Sequence, residues 1–269
     1  MPCLKVTFDT NALTGAVTPD LCSPHADHAA SCVVVHDGIK SGRITGYFGE
    51  AVVTLDILGK VDKAAVVGGA RIASESRADG PHSLTISIGT RWPKAPINQI
   101  SVNLISIAQS LGMRALIGPR HLGNSLPAQD FGALFYENLM FPADLGRASK
   151  INEVDLALAQ RGLGRSRAVE LGVEYSKRDG ASGESWMEGL GRAGNDTERR
   201  TVHRAINEWA DGDAIAAHVG YGNDLFCTHD KGTGSGQRSA LHPNNRSWLQ
   251  TVYGVEFVTV SELAKRLAP

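Results

Sequence analysis

The first apolar pattern in the chain is a short alternation that stops abruptly. Leu4, Val6 and Phe8 alternate with polar neighbours, and the polar triplet Asp-Thr-Asn follows at positions 9–11. Alternation of this kind predicts a strand over residues 5–8 that is buried on one face. The three small polar side chains therefore come at the carboxyl end of a predicted strand.

Two patterns then follow one another along the chain. In one, apolar residues occur at every second position, as in a strand, and in the other they occur three or four positions apart, as in a helix. Alternation in SLTISIG (83–89) and the apolar runs in RALIG (114–118) and DLFCTHD (224–230) predict strands. Apolar residues at helical spacing predict a helix over 100–111, and 148–172 is predicted to be helical with interruptions at Gly162 and Gly164. The final segment, 256–267, predicts a strand followed by a helix with Ser261 as its N-cap.

Three other segments have less regular patterns. The Thr-, Pro-, Ser- and Gly-rich segment 14–32 is typical of a loop, and a short strand is predicted over 33–35. Helical spacing in 44–60 places Phe48 and Val52 on one face of a helix, with Glu50 on its flank. Segment 197–222 is predicted to form two helices broken near Gly212.

Strands that alternate with helices favour an α/β fold with a mainly parallel central sheet. In such sheets ligands bind beyond the carboxyl ends of the strands. Asp9 and Asp230 both follow a predicted strand and are expected at that edge.

The composition is typical of a packed domain, and it limits the cellular location and the binding partners that we expect for the protein. Hydrophobic residues make up 42% of the chain and charged residues 20%, and the formal net charge is -1. This balance predicts no strong whole-molecule attraction to nucleic acid, although a local basic patch remains possible. No apolar run reaches the roughly 18 residues needed to span a bilayer, and a cytoplasmic location without a membrane partner is expected. The four scattered cysteines do not form a disulfide framework pattern.

The acidic residues suggest a metal site when they are considered together. Asp211 and Asp213 lie in WADGDAIAA, shortly before the strand that ends at Asp230. Each acid alone has an ordinary explanation, as a turn former or as a partner of a helix dipole. Several carboxylates meeting at one sheet edge would repel one another unless they bound a cation, and Mg²⁺ or Mn²⁺ prefers such oxygen ligands.

The motifs FDTNAL near the start, and GDAIAAHVGYG followed by DLFCTHD near the end, resemble the PIN-domain family of metal-dependent ribonucleases. The resemblance implies a three-layer α/β/α fold, a Mg²⁺ or Mn²⁺ cofactor and endonucleolytic hydrolysis of RNA. Matched by motif, the catalytic and metal-binding acids are Asp9, Glu50, Asp213 and Asp230.

The resemblance also implies roles for each position. Asp9 and Asp213 would hold the metal that binds the attacking water, and Glu50 and Asp230 would complete the acidic pocket. Asn11 and Thr228 would orient the carboxylates or bind phosphate. Asp211 is an alternative to Asp213 in the ligand set.

The resemblance covers roughly residues 3–60 and 200–267 of a single domain spanning 1–269. The span 61–200 is expected to contain the middle core elements together with an insertion. RNA is the expected substrate, and a protein inhibitor or a second copy of the chain are further candidate partners.

Two other functions and one other site remain open at this stage. A non-catalytic PIN-like interaction module has the same motifs, and a haloacid-dehalogenase-like phosphatase also starts with a strand ending in Asp, but it needs Asp-x-Asp where this chain has Asn11. Zn²⁺-type ligands occur at Cys22, His25, His28 and Cys32, although their spacing matches no common finger and a polar loop is favoured. Arg238 and Arg246 could contact RNA, whereas the basic TERR and GRSR segments are more typical of solvated helix faces.

Overall fold

The computed structural model describes residues 3–21, 26–53, 62–78, 84–91, 98–119, 143–178 and 185–268. Five strands form an all-parallel sheet with the order β5-β2-β1-β6-β7. These strands are β1 (Leu4–Phe8), β2 (Ile44–Gly49), β5 (Arg114–Leu116), β6 (Leu225–Cys227) and β7 (Phe257–Val258). A separate antiparallel pair is formed by β3 (Arg71–Ala78) and β4 (Leu84–Arg91).

Helices cover both faces of the parallel sheet. They are α1 (Thr10–Val17), α2 (Ala26–Lys40), α3 (Lys63–Gly68), α4 (Gln99–Ser110), α5 (Ala143–Gln160), α6 (Ser166–Arg178), α7 (Trp186–Leu190), α8 (Asp196–Tyr221), α9 (Pro243–Tyr253) and α10 (Val260–Leu267). Short 3₁₀ turns lie at Pro19–Leu21 and Gly236–Arg238.

The alternating side chains of the strands divide the core into two layers. Phe8, Phe48 and Cys227 point to one face, where they pack in the same cluster as buried residues of α1, α2, α4 and α10. Phe226 belongs to a cluster on the other face with residues of α5, α8 and α9. Because successive residues of a strand point to opposite faces, the central strands β1, β2 and β6 are buried from both sides. The predicted three-layer α/β/α fold with a parallel central sheet is confirmed.

The central strand β1 is tied to the long helix α8 by a buried polar contact. The Thr7 side chain is fully buried, and its hydroxyl lies 2.9 Å from His218 Nδ1 and accepts a hydrogen bond of 2.9 Å from Asn223 Nδ2. Asn223 follows shortly after α8. This contact fixes the position of α8 over the middle of the sheet.

The predicted elements over 83–89, 100–111, 114–118 and 224–230 are present as β4, α4, β5 and β6. Both breaks predicted in 148–172 also occur, because Gly162 and Gly164 lie between α5 and α6 with positive φ angles.

The loop predicted over 14–32 and the strand predicted over 33–35 are wrong. The described part of this segment is largely helical, in α1 and α2. Leu13, Cys32 and Val35 are buried in the core against the sheet, so packing outweighs the weak helix propensity of the Ser, Thr and Gly residues.

The helix predicted over 44–60 is also wrong at its start. Residues 44–49 form β2, which pairs with β1 from Leu4↔Ile44 to Phe8↔Phe48, and Glu50 lies in the turn that follows. Residues 54–60 of that prediction lie outside the described residues. Because β2 is covered on both faces, its residues are nearly all apolar, and such a run cannot be distinguished from a buried helix by its periodicity.

Two predicted helix boundaries differ from the structure. The helix α8 is continuous over 26 residues, with Gly212 inside it. The last helix is capped by Thr259, not by Ser261, and Thr259 forms a capping box with Glu262. Among the described residues, no helix is long and apolar enough to cross a membrane.

Candidate functional site

The carboxyl ends of β1 and β6 are joined by hydrogen bonds that hold Asp9 in place. The Asp9 backbone N–H donates to Cys227 O at 2.9 Å. The Asp9 carboxylate accepts from three donors: Thr10 N at 2.7 Å, Asn11 Nδ2 at 2.8 Å and Thr228 Oγ1 at 2.7 Å. Asp9 is also the N-cap of α1. Its carboxylate is therefore oriented by both the helix start and the neighbouring strand.

The same network holds the loop that carries Asp230. The Thr228 hydroxyl accepts from Asp230 N at 3.0 Å, and Asn11 Oδ1 accepts from His229 N at 2.9 Å. Asp230 Oδ1 in turn accepts from Gly232 N at 2.7 Å. Asn11 and Thr228 thus connect the two acidic segments by hydrogen bonds.

Gly232 is required by this turn. Its φ is +65°, and a Cβ atom there would lie 2.3 Å from the backbone nitrogen of His242. A larger residue would push the Asp230 loop away from the segment that precedes α9, so the sequence Asp-Lys-Gly is matched to the tight turn.

One face of α8 forms the opposite wall of a cleft of about 490 Å³ that contains Asp9 and Asp230. The α8 residues at this wall recur at helical spacing, three or four positions apart. The lining residues are Asp9, Thr10, Asn11, Arg204, Asn207, Glu208, Ala210, Asp211, Asp230, Gly234 and Ser235.

Glu208 was not among the predicted site residues, although it faces Asp230 across this cleft. Burial is the main reason that the pKa of the Glu208 carboxyl is raised, and the negative charge of Asp230 raises it further. Hydrogen bonds from Ser235 and Ser239 oppose this change. Residues 204, 208 and 211 are three or four positions apart and precede the break predicted near Gly212, so their spacing on one helix was the signal that could have identified this wall.

Asp213 faces a different direction from Asp211. Residues two positions apart on an α-helix are separated by about 200° around its axis, so both side chains cannot face one cleft. Asp213 does not line the cleft with Asp9 but lies beside Gly118, where an added Cβ would be 3.6 Å from the Cβ atom of Asp213.

Glu50 and Asp213 form a second acidic group at the same edge of the sheet. The pKa of the Asp213 carboxyl is raised well above its usual value, first by burial and then by the charges of Asp155 and Glu50. Glu50 follows β2 and accepts a hydrogen bond of 3.3 Å from Gly118 N. The structure therefore brings the four predicted acids to one edge in two groups, Asp9 with Asp230 and Glu50 with Asp213.

The donor chemistry of this edge suits a hard divalent cation, because every acid offers carboxylate oxygens. Within the described ranges, however, no three His, Cys, Asp or Glu side chains lie close enough together to hold one ion jointly.

The alternative Zn²⁺ ligand set is only partly within the described residues. Cys22 and His25 lie outside them. His28 and Cys32 lie one turn apart on α2, with His28 Nε2 and Cys32 Sγ 3.8 Å apart. Cys32 is disulfide-bonded, a pairing that the scattered cysteines did not predict, so its sulfur is not a free thiolate for a metal.

Comparison of the chain with protein-family models gave no match. Comparison with curated proteins also gave no match.

Proposed function

We propose that this protein is a metal-dependent endoribonuclease of the PIN type, which hydrolyses RNA phosphodiester bonds at the carboxyl edge of its parallel sheet. The observation that carries the proposal is the hydrogen-bonded junction Asp9–Thr228–Asp230. It joins two acids from distant parts of the chain and faces a cleft large enough for a nucleotide. The motif resemblance supplies the reaction class.

Each residue has a defined task under this proposal. Asp9 and Asp230 would each offer a carboxylate oxygen to Mg²⁺ or Mn²⁺, and Glu50 and Asp213, which form the separate second group, would act on the ion through bridging water. Bound ions of this kind activate water and neutralise charge on a phosphodiester. Asn11 and Thr228 hold the Asp9 carboxylate in one orientation, so that little reorganisation is needed when substrate arrives.

The charge of the second group supports a cation at this edge. Glu50 and Asp155 both disfavour the ionised form of Asp213. A divalent ion would relieve this repulsion, and carboxyl groups with strongly perturbed pKa values in a sheet-edge position are typical of functional sites.

The test is cleavage of a labelled single-stranded RNA by the full chain with Mn²⁺ or Mg²⁺. We expect Asp9→Asn to lower the cleavage rate at least about a hundredfold, the order of loss typical when a group that stabilises a transition state is removed. Asp196→Asn is the matched control, because Asp196 is an exposed acid at the far end of α8. Equal cleavage by wild type and Asp9→Asn, or wild-type cleavage that persists in EDTA, contradicts the proposal.

A non-catalytic PIN-like interaction module is the second candidate. The observation in its favour is that the described acids do not converge in a group of three. Calorimetric titration with Mn²⁺ separates the two functions. The nuclease requires binding that is weakened in Asp9→Asn, whereas the module requires neither Mn²⁺ binding nor RNA cleavage.

A further inference from the structure

A second cavity lies next to the acidic cleft and is lined by three arginines. It has a volume of about 280 Å³ and shares Arg204, Glu208, Gly234 and Ser235 with the cleft, so the two cavities adjoin. Its other lining residues are Gly164, Arg167, Thr201, Ala205 and Arg238. We call this cavity the arginine groove.

The three guanidinium groups come from three separate elements that meet at the groove. Arg167 lies on α6, Arg204 on α8 and Arg238 on the 3₁₀ turn after β6. The meeting of α6 and α8 depends on two glycines, because a Cβ on Gly212 would lie only 2.8 Å from the Cα atom of Gly164. The close approach brings the start of α6 beside the middle of α8.

The groove carries more positive charge than its carboxylates neutralise. Glu170 is shared between two arginines, with Arg167 Nη1 at 2.9 Å and Arg238 Nη1 at 3.8 Å. Arg204 is exposed and makes no hydrogen bond or ion pair with any residue that the structure describes. Its guanidinium is therefore available to a ligand, and it lies at the boundary between the groove and the acidic cleft.

We propose that the arginine groove binds the phosphodiester backbone of a single nucleic-acid strand on one side of the acidic cleft. The inference rests on the proposed nuclease function and names the surface that holds its substrate. Carboxylates repel a polyanion, and the net charge of -1 gives no general attraction, so affinity must come from a local set of cations. Guanidinium groups suit this task because they bind phosphate oxygens in pairs.

The test measures binding without cleavage, by fluorescence anisotropy of a labelled single-stranded RNA with the full chain in EDTA. The double variant Arg204→Gln/Arg238→Gln is compared with Arg199→Gln/Lys177→Gln. The control pair removes the same charge from exposed positions on α8 and α6 that do not line the groove. We expect the groove variant to bind at least about tenfold more weakly than wild type, and the control to bind within about twofold of it.

The salt dependence of RNA binding and the affinity for a mononucleotide provide two further tests. For single strands each phosphate contact contributes about 0.7 to the slope of log K against log salt concentration. The groove variant should therefore lose about 1.4 from this slope, and Arg204→Lys with Arg238→Lys should retain most of it. Equal losses in the groove and control variants overturn the proposal. Binding of a mononucleotide as tight as that of the RNA strand also overturns it.

The RNA-binding test can be interpreted whether or not the protein cleaves RNA. If the groove variant loses RNA binding but wild type cleaves no RNA with any divalent ion, the groove stands and the nuclease proposal fails. If wild type cleaves RNA and the groove and control variants bind alike, the nuclease proposal stands and the groove fails.

Discussion

At the end of β6 a single hydroxyl group connects the two acidic segments. Thr228 donates to the Asp9 carboxylate and accepts from the Asp230 backbone, and its side chain is almost fully buried. The resemblance to the PIN-domain motif implied a supporting role for Thr228. Which groups it joins could not be predicted, since Asp9 is 219 residues away along the chain.

We expect Thr228→Val to lower the free energy of unfolding by about 1–3 kcal/mol, because valine fills the same space but leaves the partly buried Asp9 carboxylate and the Asp230 amide N–H without their shared hydrogen-bond partner. RNA cleavage should fall together with stability. Thr228→Ser keeps the hydroxyl and should recover most of both. Urea unfolding and cleavage assays measure the two effects, and equal stability of the Val and Ser variants would show that the hydroxyl has no structural role.

We expect the Asp213 carboxyl group to lower the stability of the fold at neutral pH while it supports RNA cleavage. Its raised pKa means that the folded protein holds a proton there more strongly than the unfolded chain, so its contribution to stability is present below the unfolded pKa and is lost as pH rises. In EDTA at pH 7 we expect Asp213→Asn to raise the melting temperature measured by thermal unfolding. In a separate assay with Mn²⁺ we expect the same variant to abolish RNA cleavage.

Asp211→Asn is the comparison for this prediction, because Asp211 lies on the other side of the same helix. It should change neither property as strongly as Asp213→Asn does. A stability gain that persists unchanged at pH 3 would contradict the electrostatic explanation. Loss of cleavage in Asp211→Asn instead of Asp213→Asn would transfer the catalytic role to Asp211.

At the scale of elements, the sequence predicted three of the strands near the site but interpreted β2 as part of a helix. β1, β5 and β6 were identified from apolar or alternating runs. The helix α8 was predicted as two pieces because glycine is a poor helix former. Gly212 is there for a different reason, the contact with Gly164 across the helix pair, and such a contact between residues distant in sequence has no local signal.

We expect Gly212→Ala to destabilise the protein by about 1–3 kcal/mol, although alanine has the higher helix propensity, because its Cβ would collide with backbone atoms of Gly164. Gly146→Ala is the control. Gly146 lies within α5 with nothing within 4 Å of an added Cβ, so the same change there should stabilise by about 0.5–1 kcal/mol. Thermal unfolding measures both, and a gain in Gly212→Ala would contradict the packing explanation.

At the scale of the whole molecule, the fold class followed from the alternation of strands and helices, whereas the strand order did not. The order places β1 in the centre of the sheet, between β2 and β6. A helix pattern shows which face is apolar but not which strand it crosses, so the contact of α8 with Thr7 could only be found in the structure.

The buried His218 should make the whole fold sensitive to acid. Burial lowers the pKa of His218 from its usual value of 6.5 to about 4. Above pH 6.5 the ring is neutral in both states, and between pH 6.5 and 4 the unfolded chain takes up a proton that the folded protein cannot. We expect a loss of about 3 kcal/mol of stability over this range, since lowering a pKa by one corresponds to about 1.4 kcal/mol.

His218→Gln removes this titration and should flatten the dependence of stability on pH over that interval. His242→Gln is the control, because His242 is an N-cap histidine at the start of α9, away from the sheet centre. Unfolding by urea at several pH values measures the slopes. Parallel curves for wild type and His218→Gln would show that another group causes the acid sensitivity.

The central position of β1 also affects when the surroundings of Asp9 are completed during synthesis. During synthesis Leu4–Phe8 leave the ribosome long before β6, the neighbour that brings Thr228 and Asp230. Contacts that span so much of a chain form late in folding. A nascent chain would therefore carry Asp9 through most of translation without its partners. Under the proposed nuclease function, a nascent chain would therefore be unable to cut RNA before β6 has been synthesised.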